Sequence, residues 1–335
     1  MTTNVLVVTD PAAGLDPTID ATVGLVAAFQ DLDVAVWVST PADLSVVDGR
    51  VRTLAARVLL APRRRGRDHR WIVERDWFQV LERTRFDVAD RMDLVLLRID
   101  PPVDARYLHT TYLLDLVEAA GTRVVNRPEG IRALHEKAVA LRFPELCPAT
   151  LVTTDPAEVR RFVAAHGTAV VKPLDGFAGI DVWLLHDDAA ARALCESATA
   201  GGTRHVIAQE YLARVEVGNK RLFLLDGEIM GAVLRRPDDA DFRIGAPCAP
   251  AEVDDADRRI TRTLSPLLEH HGIALAGLDV IDGRLIEVNV TCPGGMAKTD
   301  ALLGTDLSGA IVRRLLHLDE LHPSTPSHPK EMATS

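Results

Sequence analysis

The chain of 335 residues has few lysines and no excess of positive charge. Only five of its 38 lysine and arginine residues are lysines, and 48 acidic residues give a formal net charge of −10 at pH 7. Proteins that bind the nucleic-acid backbone carry the opposite balance, so no nucleic-acid partner is expected. The one basic run, RRRGRDHR at residues 63–70, is interpreted as a solvated surface loop.

Cysteine pairs and long apolar runs are also missing. The four cysteines are scattered without a C-x-x-C pair, which argues against a zinc site and against a disulfide framework. The first residues hold neither a charged segment nor an apolar run long enough for a signal peptide or a membrane span. We therefore expect a cytoplasmic protein with no membrane partner.

The first third of the chain alternates two periodicities. The predicted strands are 4–10, 34–40, 93–100 and 123–126, and the predicted helices are 19–32 and 106–121. This alternation indicates an α/β fold with a parallel sheet covered by helices. No G-x-G-x-x-G follows the first strand, so a dinucleotide site is not favoured.

The rest of the chain predicts glycine-interrupted strands, hairpins and helices. The predicted helices are 130–143, 254–271 and 306–318, the single strands are 168–176, 181–187 and 206–212, and the hairpins are 220–236 and 275–290. The last residues, 321–335, are rich in proline and serine and predict a disordered tail.

Three oxygen-bearing side chains share one face of the last predicted hairpin. Asp279 lies on its first strand, and Glu287 and Asn289 alternate on the second strand, so both point the same way. Buried carboxylates need a positive partner, and oxygen ligands on rigid strands suit Mg²⁺. The alternative is an ordinary polar strand edge that faces solvent.

Two of the scarce lysines occur beside unusual neighbours. Lys172 closes an apolar run and precedes a glycine loop, and Lys137 lies in a predicted helix. Glycines let backbone N–H groups approach an anion, and a lysine adds a mobile charge. Either lysine alone could be a surface ammonium. Together with the three oxygen ligands, they predict a site for a nucleotide and its metal.

Several segments resemble one known family. They are NRPEGIRALHEKAVALRF (126–143), VVKPLDGFAGI (170–180), AQEYL (208–212), GNKR (218–221) and GLDVIDGRLIEVNVTCPGG (277–295). These segments look like the bacterial glutathione synthetase branch of the ATP-grasp ligases, and the resemblance extends in order over about residues 4–318. It implies a pre-ATP-grasp parallel-sheet domain followed by a two-lobed ATP-grasp fold, with ATP and Mg²⁺ between the lobes.

The resemblance also implies divisions of the chain and an assembly. An N-terminal α/β domain would cover residues 1–122, a lid subdomain 123–206, a subdomain with the metal site 207–320 and the tail 321–335. A homo-oligomer is expected.

By position, the resemblance assigns roles to individual residues. The implied ATP-binding residues are Lys137, Lys172, Asp175, Gly176, Gly179, Gln209, Glu210, Tyr211, Leu212, Asn219, Lys220 and Arg221. The implied Mg²⁺ ligands are Asp279, Glu287 and Asn289, and Arg243 is the implied catalytic residue. The implied substrate-binding residues are Arg98, Asp100, Thr291, Cys292, Gly294 and Gly295, with Cys292 interpreted as a packing residue and not a nucleophile.

The implied activity is ATP-dependent ligation of a carboxylate to an amine. A substrate carboxylate becomes an acyl phosphate, and the amine then displaces phosphate to leave an amide, with no protein nucleophile. The partners would be a small carboxylate and a small amine, each an amino acid or short peptide.

Departures from the family pattern fall on the substrate side. RIGAPCAP (243–250) replaces RGNLAAGG, Ile99 replaces a lysine, Ala178 replaces a glycine and VTCPGG (290–295) replaces VTSPT. Three hypotheses follow: a glutathione synthetase that joins γ-glutamylcysteine to glycine, a ligase for another amino acid or γ-glutamyl dipeptide, and a nucleotide-binding scaffold without ligase activity. The retained lysines, Arg243 and metal ligands argue against the scaffold.

Overall fold

A computed structural model describes residues 3–66, 70–176, 179–238 and 241–318. The proposed tail at 321–335, Ala178 and the side chain of Cys248 lie outside what it describes. Within the described residues, no helix is both long and apolar enough to cross a membrane.

The first part of the chain forms a seven-stranded sheet with helices against it. Its elements are β1 (Asn4–Thr9), α1 (Ala21–Gln30), β2 (Ala35–Ser39), β3 (Leu44–Val47), β4 (Arg50–Leu60), β5 (Arg64–Arg65), β6 (Trp71–Ile72), β7 (Phe78–Asp87), α2 (Val88–Arg91), β8 (Leu94–Arg98), α3 (Ala105–Ala119) and β9 (Arg123–Val125). The predicted strands and helices of this part are confirmed to within a few residues. Asp20 caps α1 by accepting hydrogen bonds from Thr22 N and Val23 N, which fixes where that helix begins.

The predicted parallel sheet is confirmed for four strands, and three further strands extend it antiparallel. Strands β2, β1, β8 and β9 pair in parallel, but β3, β4 and β7 join the same sheet antiparallel. Strand β4 reads RVRTLAARVLL, in which buried and exposed residues alternate at its start. That alternation is typical of a strand with one solvated face, which is how antiparallel sheets differ from buried parallel ones.

The basic run is only partly the solvated loop that its composition suggested. The guanidinium of Arg63 lies 4.2 Å from the ring centre of Trp71 and its Nη2 donates to Gly24 O at 3.4 Å. Arg65 donates to the carbonyls of Ala301 and Leu302. These contacts connect the hairpin of β5 and β6 to the C-terminal end of the last part of the chain.

The middle part of the chain forms an antiparallel four-stranded sheet in the order β10-β13-β11-β12. Its elements, after α4 (Pro128–Ala133), are β10 (Thr150–Thr153), α5 (Pro156–His166), β11 (Thr168–Pro173), β12 (Trp183–His186), α6 (Ala191–Ala198) and β13 (Val206–Glu210). We call residues 150–210 the four-stranded body. Its buried residues form one cluster that includes Val163, Val171 and Leu185.

The last part of the chain forms an antiparallel five-stranded sheet in the order β16-β15-β14-β17-β18. Its elements are β14 (Asn219–Leu225), β15 (Glu228–Asp238), β16 (Asp241–Pro250), α7 (Asp255–His270), β17 (Leu275–Ile281), β18 (Arg284–Asn289), α8 (Met296–Leu303) and α9 (Leu307–Leu315). Both predicted hairpins are confirmed, with Asp226-Gly227 and Asp282-Gly283 as turns whose positive φ suits a glycine at the second position.

The predicted helix at 130–143 is wrong. Helix α4 ends at Ala133, and residues 139–142 form a separate 3₁₀ turn. The carbonyl of Glu136 accepts a hydrogen bond from Val288 N at 3.0 Å, so this backbone is bonded to β18 and not along a helix. Lys137 is consequently on an irregular segment that β18 holds in place.

The first and third sheets share their cores. One cluster joins Leu97 and Tyr107 to Leu222 and Leu278, and a second joins Leu96 to Phe223. Ile99, a departure from the family pattern, is 3% exposed and packs in the first of these cores. The five-stranded sheet is therefore fixed to the first domain by apolar contact.

Candidate active site

A cavity of about 280 Å³ lies between the four-stranded body and the five-stranded sheet. Fourteen of the residues that the sequence assigned to the site line it: Lys137, Lys172, Gly176, Gly179, Gln209, Glu210, Tyr211, Leu212, Asn219, Arg221, Arg243, Asp279, Glu287 and Asn289. They come from strands β11, β13, β14, β16, β17 and β18 and from the segments beside them. The fold thus brings together residues as far apart in the chain as Lys137 and Asn289.

The two lysines are buried at one end of this cavity. Lys172 is 8% exposed and Lys137 is 5% exposed. Burial, and then the charge of Lys137, lower the pKa of Lys172, although Glu287 and Asp279 oppose the shift. Lys137 Nζ donates to Gly176 O and lies 3.8 Å from Glu287 Oε1. Two buried ammonium groups beside one carboxylate form a site that attracts an anion.

Asp279 already has positive partners. Its carboxylate accepts hydrogen bonds from Arg221 Nε at 2.6 Å, Arg221 Nη2 at 3.2 Å and Arg235 Nη2 at 2.6 Å. Burial raises the pKa of Asp279, but the charges and hydrogen bonds of the two arginines outweigh burial and hold that pKa below its ordinary value. The positive partner expected for this carboxylate is therefore a pair of arginines in the structure.

Glu287 and Asn289 fit the chemistry of a Mg²⁺ ion. Asn289 Nδ2 donates to Gly277 O at 3.1 Å, which leaves the amide oxygen as its free end. Asp279 faces Glu287 in register across the hairpin. Among the described residues no three His, Cys, Asp or Glu side chains cluster as a metal site, and this set holds two carboxylates and one amide. Mg²⁺ keeps several waters and needs few protein ligands, so such a set is sufficient.

Part of the cavity lining is apolar. Val170, Ile180, Val182, Val215, Ile281 and Ile286 form this part. The N–H groups of Glu210 and Tyr211 donate to Ala149 O and Thr168 O, so they are occupied by the sheet. A lining that holds both apolar and cationic side chains suits a nucleotide, whose base is flat and apolar and whose phosphates are anionic.

Two of the predicted ATP-binding residues lie outside the cavity. Lys220 Nζ binds Asp254 Oδ2 at 2.9 Å and Asp257 Oδ2 at 2.5 Å, because strand alternation turns it to the face opposite Asn219 and Arg221. Asp175 is 87% exposed in its side chain, and its Oδ1 lies 3.7 Å from His135 Nε2.

The predicted substrate residues of the last part lie in one loop, residues 290–295, which we call the substrate loop. Thr291 donates from N and Oγ1 to Glu136 Oε1, and Gly294 O accepts from Arg221 Nη1 at 3.4 Å. Burial raises the pKa of the Cys292 thiol, which suits a packing residue. Gly295, at φ +103°, precedes the first residue of α8.

The two predicted substrate residues of the first domain are Arg98 and Asp100. Arg98 is 3% exposed, and its Nη2 donates to Pro293 O at 3.2 Å. Asp100 is exposed, and its N–H donates to Asp10 Oδ2 at 2.9 Å. Whether either residue touches a substrate stays a prediction.

Sequence reasoning missed Arg235, Glu136 and the apolar lining. Arg235 lines the cavity, and its Nε is buried without a hydrogen-bond partner among the described residues. Its register opposite Asn219 follows from the hairpin of β14 and β15, which could have shown it. Val170 could have been found by alternation, since it lies two residues before Lys172 on the same strand. Glu136 had no such local signal.

Comparison with solved structures shows the fold. D-cycloserine synthetase DcsG superposes with a TM-score of 0.60 at 19% sequence identity, covering 93% of this chain and 99% of that chain. A structure of the ATP-grasp ligase PsnB with a minimal precursor superposes with a TM-score of 0.61 at 18% identity, covering 94% and 99%. These superpositions show the fold, and a match of residues 136–304 to the prokaryotic glutathione synthetase ATP-grasp domain shows the class, the ATP-grasp ligases.

Sequence comparison narrows the class to one family. The prokaryotic glutathione synthetase N-terminal domain matches residues 3–132, and the prokaryotic glutathione synthetase ATP-grasp domain matches residues 136–304. The glutathione synthetase of Thermosynechococcus vestitus is 39% identical over 90% of this chain and 96% of its own length, and that of Synechococcus elongatus is 40% identical over 91% and 96%. The chain belongs to the prokaryotic glutathione synthetase family and is an ATP-dependent ligase.

Proposed function

We propose that the protein joins γ-glutamylcysteine to glycine in the cytoplasm, with ATP as the energy source and Mg²⁺ as the metal. One observation supports this most directly: Lys137, Lys172, Arg243, Glu287 and Asn289 all line one cavity between two sheets. Its cationic and its apolar lining residues suit the phosphates and the base of a nucleotide. The curated relatives are glutathione synthetases over nearly the whole length of the chain.

The residues of the cavity would divide the work of the reaction. Lys137 and Lys172 would hold the phosphates, and buried ammonium groups stabilise the charge that develops there more strongly than exposed ones do. Glu287 and Asn289 would hold Mg²⁺, with Asp279 fixed beside them by its arginines. Bound there, Mg²⁺ would supply further charge neutralisation. The N–H of Leu212, which follows the occupied N–H groups of β13, would face the adenine.

Arg243 would act on the reacting carboxyl group. It lines the cavity, and its Nη1 donates to Gly179 O at 3.4 Å, so it connects the glycine loop to the five-stranded sheet. A planar guanidinium can donate two hydrogen bonds to an oxyanion at the same time. Closure of this loop would exclude water from an acyl phosphate, which water hydrolyses.

A second candidate is a ligase for another amino acid or a γ-glutamyl dipeptide. The observation that favours it is the substrate loop, whose Thr-Cys-Pro-Gly-Gly sequence departs from the family pattern, whereas the two lysines, Arg243 and the proposed metal ligands are retained. Ile99 contributes less to this case, because it packs in the core.

Phosphate release from Mg-ATP tests both candidates. The purified protein is supplied with γ-glutamylcysteine and glycine, and in parallel with glutamate and a set of amino acids, and product masses are read. Turnover on the first pair alone supports the glutathione synthetase. Turnover only on another pair replaces it with the second candidate, and ATP binding without turnover on any pair supports a scaffold.

The protein would also form a homo-oligomer through strand β7. Among the described residues β7 pairs only with β4, and its Val80 and Leu81 side chains are 55% and 53% exposed. An open strand edge with apolar side chains is a template for pairing with another copy. Val80→Lys should lower the mass measured by light scattering, whereas an unchanged mass would locate the interface elsewhere.

A further inference from the structure

A buried carboxylate that the proposed reaction does not use lies beside Lys137. Glu136 is 9% exposed, and its Oε1 accepts hydrogen bonds from Val290 N at 3.1 Å, Thr291 N at 3.1 Å and Thr291 Oγ1 at 2.6 Å. Its own carbonyl accepts from Val288 N at 3.0 Å. Glu136 therefore holds both the end of β18 and the start of the substrate loop.

The rest of the substrate loop is held by positive charge. Pro293 O accepts from Arg98 Nη2 at 3.2 Å, and Gly294 O accepts from Arg221 Nη1 at 3.4 Å. At its start, the loop thus donates N–H groups to a carboxylate, and at its end its carbonyls accept hydrogen bonds from guanidinium groups. Hydrogen bonds to charged groups are stronger and more directional than neutral ones, so they fix the path of the backbone.

Burial makes a carboxylate costly at this position. Burial and then the charge of Glu287 raise the pKa of Glu136, while the hydrogen bonds from Thr291 oppose the shift. A buried group of this kind persists where its hydrogen bonds are needed, since leaving the loop N–H groups unpaired would also be costly.

Glu136 also lies next to the phosphate end of the cavity along the chain. The neighbouring Lys137 Nζ donates to Gly176 O, and His135 Nε2 lies 3.7 Å from Asp175 Oδ1. Three successive residues therefore contact the substrate loop and the loop after β11. The side chain of Glu136 makes its contacts only on the substrate-loop side among the described hydrogen bonds.

We propose that Glu136 is a positioning residue for the incoming amine: its carboxylate fixes the backbone of Val290 and Thr291 and so sets the geometry of the substrate loop. The inference rests on the proposed ligase function, because the amine is the substrate that this loop would receive. Glu136 itself is not among the residues that line the cavity.

The test compares Glu136→Ala with Glu136→Gln in steady-state kinetics, varying the amine, the acyl donor and ATP in turn. Loss of a buried acceptor should lower kcat/KM for the amine about 10- to 100-fold in Glu136→Ala and leave the KM for ATP nearly unchanged. Glutamine keeps an acceptor oxygen of the same shape without the charge, so Glu136→Gln should recover part of this loss. A uniform rise in the KM of all three substrates would overturn the proposal.

Amide hydrogen exchange gives a readout that needs no turnover. In wild type the amides of Val290 and Thr291 should be protected, and Glu136→Ala should expose them. If wild type is inactive on every substrate pair, the proposed function fails while this exchange result still tests the contact. Unchanged protection in Glu136→Ala would overturn the inference whatever the activity.

Asp300 supplies a matched control. It is 3% exposed, and its carboxylate accepts from Leu307 N at 2.6 Å, Ser308 N at 3.0 Å and Ser308 Oγ at 2.7 Å, outside the cavity lining. Asp300→Ala should lower thermal stability without changing kcat/KM for the amine. Equal kinetic effects of Asp300→Ala and Glu136→Ala would show that Glu136 has only a structural role.

Should Glu136→Ala fail to fold, Thr291→Val continues the test. This variant removes only the 2.6 Å hydrogen bond to Oε1. It should lower kcat/KM for the amine about 3- to 10-fold. An unchanged kcat/KM would overturn the proposal.

Discussion

The two sheets that face each other across the cavity are anchored differently. The four-stranded body has a core of its own, in which Val163, Val171 and Leu185 are fully buried. The five-stranded sheet instead shares its cores with the first domain, through side chains such as Leu222 and Phe223. One wall of the cavity belongs to a separate small unit, and the other wall belongs to the bulk of the protein.

At the described residues, polar contacts link the two walls. Gly176 O accepts from Lys137 Nζ, and Gly179 O accepts from Arg243 Nη1 at 3.4 Å. Polar contacts at a surface are weaker anchors than a shared apolar core, so a unit held this way can open without unfolding. The two lysines that we propose bind phosphate therefore lie where the separately packed body meets the five-stranded sheet.

The largest expected effect comes from removing a buried charge from the cavity between the two sheets. Lys172→Ala should lower kcat at least about 10³-fold, because it deletes a buried cation beside the phosphates. Lys220→Ala is the control, since Lys220 contacts α7 on the other face of its strand. Phosphate release measures both variants. Similar losses in the two would mean that lysine removal acts through stability and not through the site.

The next prediction concerns the separate core. Leu185→Ala should cost about 2–5 kcal/mol, as buried leucines do, and should produce an early unfolding step confined to residues 150–210. Leu222→Ala, in the shared core, should lower the main transition instead. Hydrogen exchange during urea unfolding distinguishes the two. A single transition for Leu185→Ala would show that the body does not unfold alone.

Much of this arrangement could be predicted from local patterns. Alternation along a strand placed Glu287 and Asn289 on one face, and the turn signals at Asp226 and Asp282 located both hairpins. These features depend on neighbours within a few residues. The separate core of the four-stranded body depends on packing between α5, α6 and their sheet, and no local pattern in the sequence shows it.

Other parts of the site depend on contacts between distant residues. Glu136 bonds to Thr291, 155 positions away, and Arg235 on β15 bonds to Asp279 on β17 across the one strand between them, β14. Helical periodicity at 130–143 was misleading, since the carbonyl of Glu136 is bonded to β18. Lys220 lies outside the cavity because the family motif names a run of residues, whereas a strand presents only alternate members of that run to one face.

A smaller effect, on the free energy of unfolding, should come from the five-stranded sheet as the pH falls. The pKa of Asp279 is held below its ordinary value of 3.8 in the folded state. The stabilisation from its arginine pairs is therefore complete above that value and is lost as the pH falls through the lower folded value. This contributes a slope of up to about 1.4 kcal/mol per pH unit to the free energy of unfolding.

Asp279→Asn should abolish that part of the slope. Urea unfolding of wild type and variant between about pH 5 and about pH 3 measures it, and the slopes rather than the absolute stabilities are compared. Parallel curves for the two proteins would contradict the assignment, because they would mean that Asp279 binds a proton equally in the folded and unfolded states.

The smallest effect is expected at Asp175, which follows strand β11 of the four-stranded body. Burial, and then the charge of Lys137, lower the pKa of His135 below its ordinary value of 6.5, so the imidazole facing Asp175 is neutral at pH 8. An exposed contact without opposite charges contributes little, and Asp175→Asn should change the KM for ATP less than about twofold at that pH. As the pH falls below that ordinary value, protonation of His135 begins, and the loss of Asp175 should matter more.

Asp187→Asn, an exposed carboxylate elsewhere on the four-stranded body, should have no effect at either pH. The comparison separates two roles for Asp175. A contribution through His135 grows on acidification, whereas a direct contact with bound nucleotide and metal would raise the KM for ATP at pH 8 as well. A large effect at pH 8 would therefore support the prediction that Asp175 binds the nucleotide. It would also mean that the four-stranded body closes further over ATP than its present contacts show.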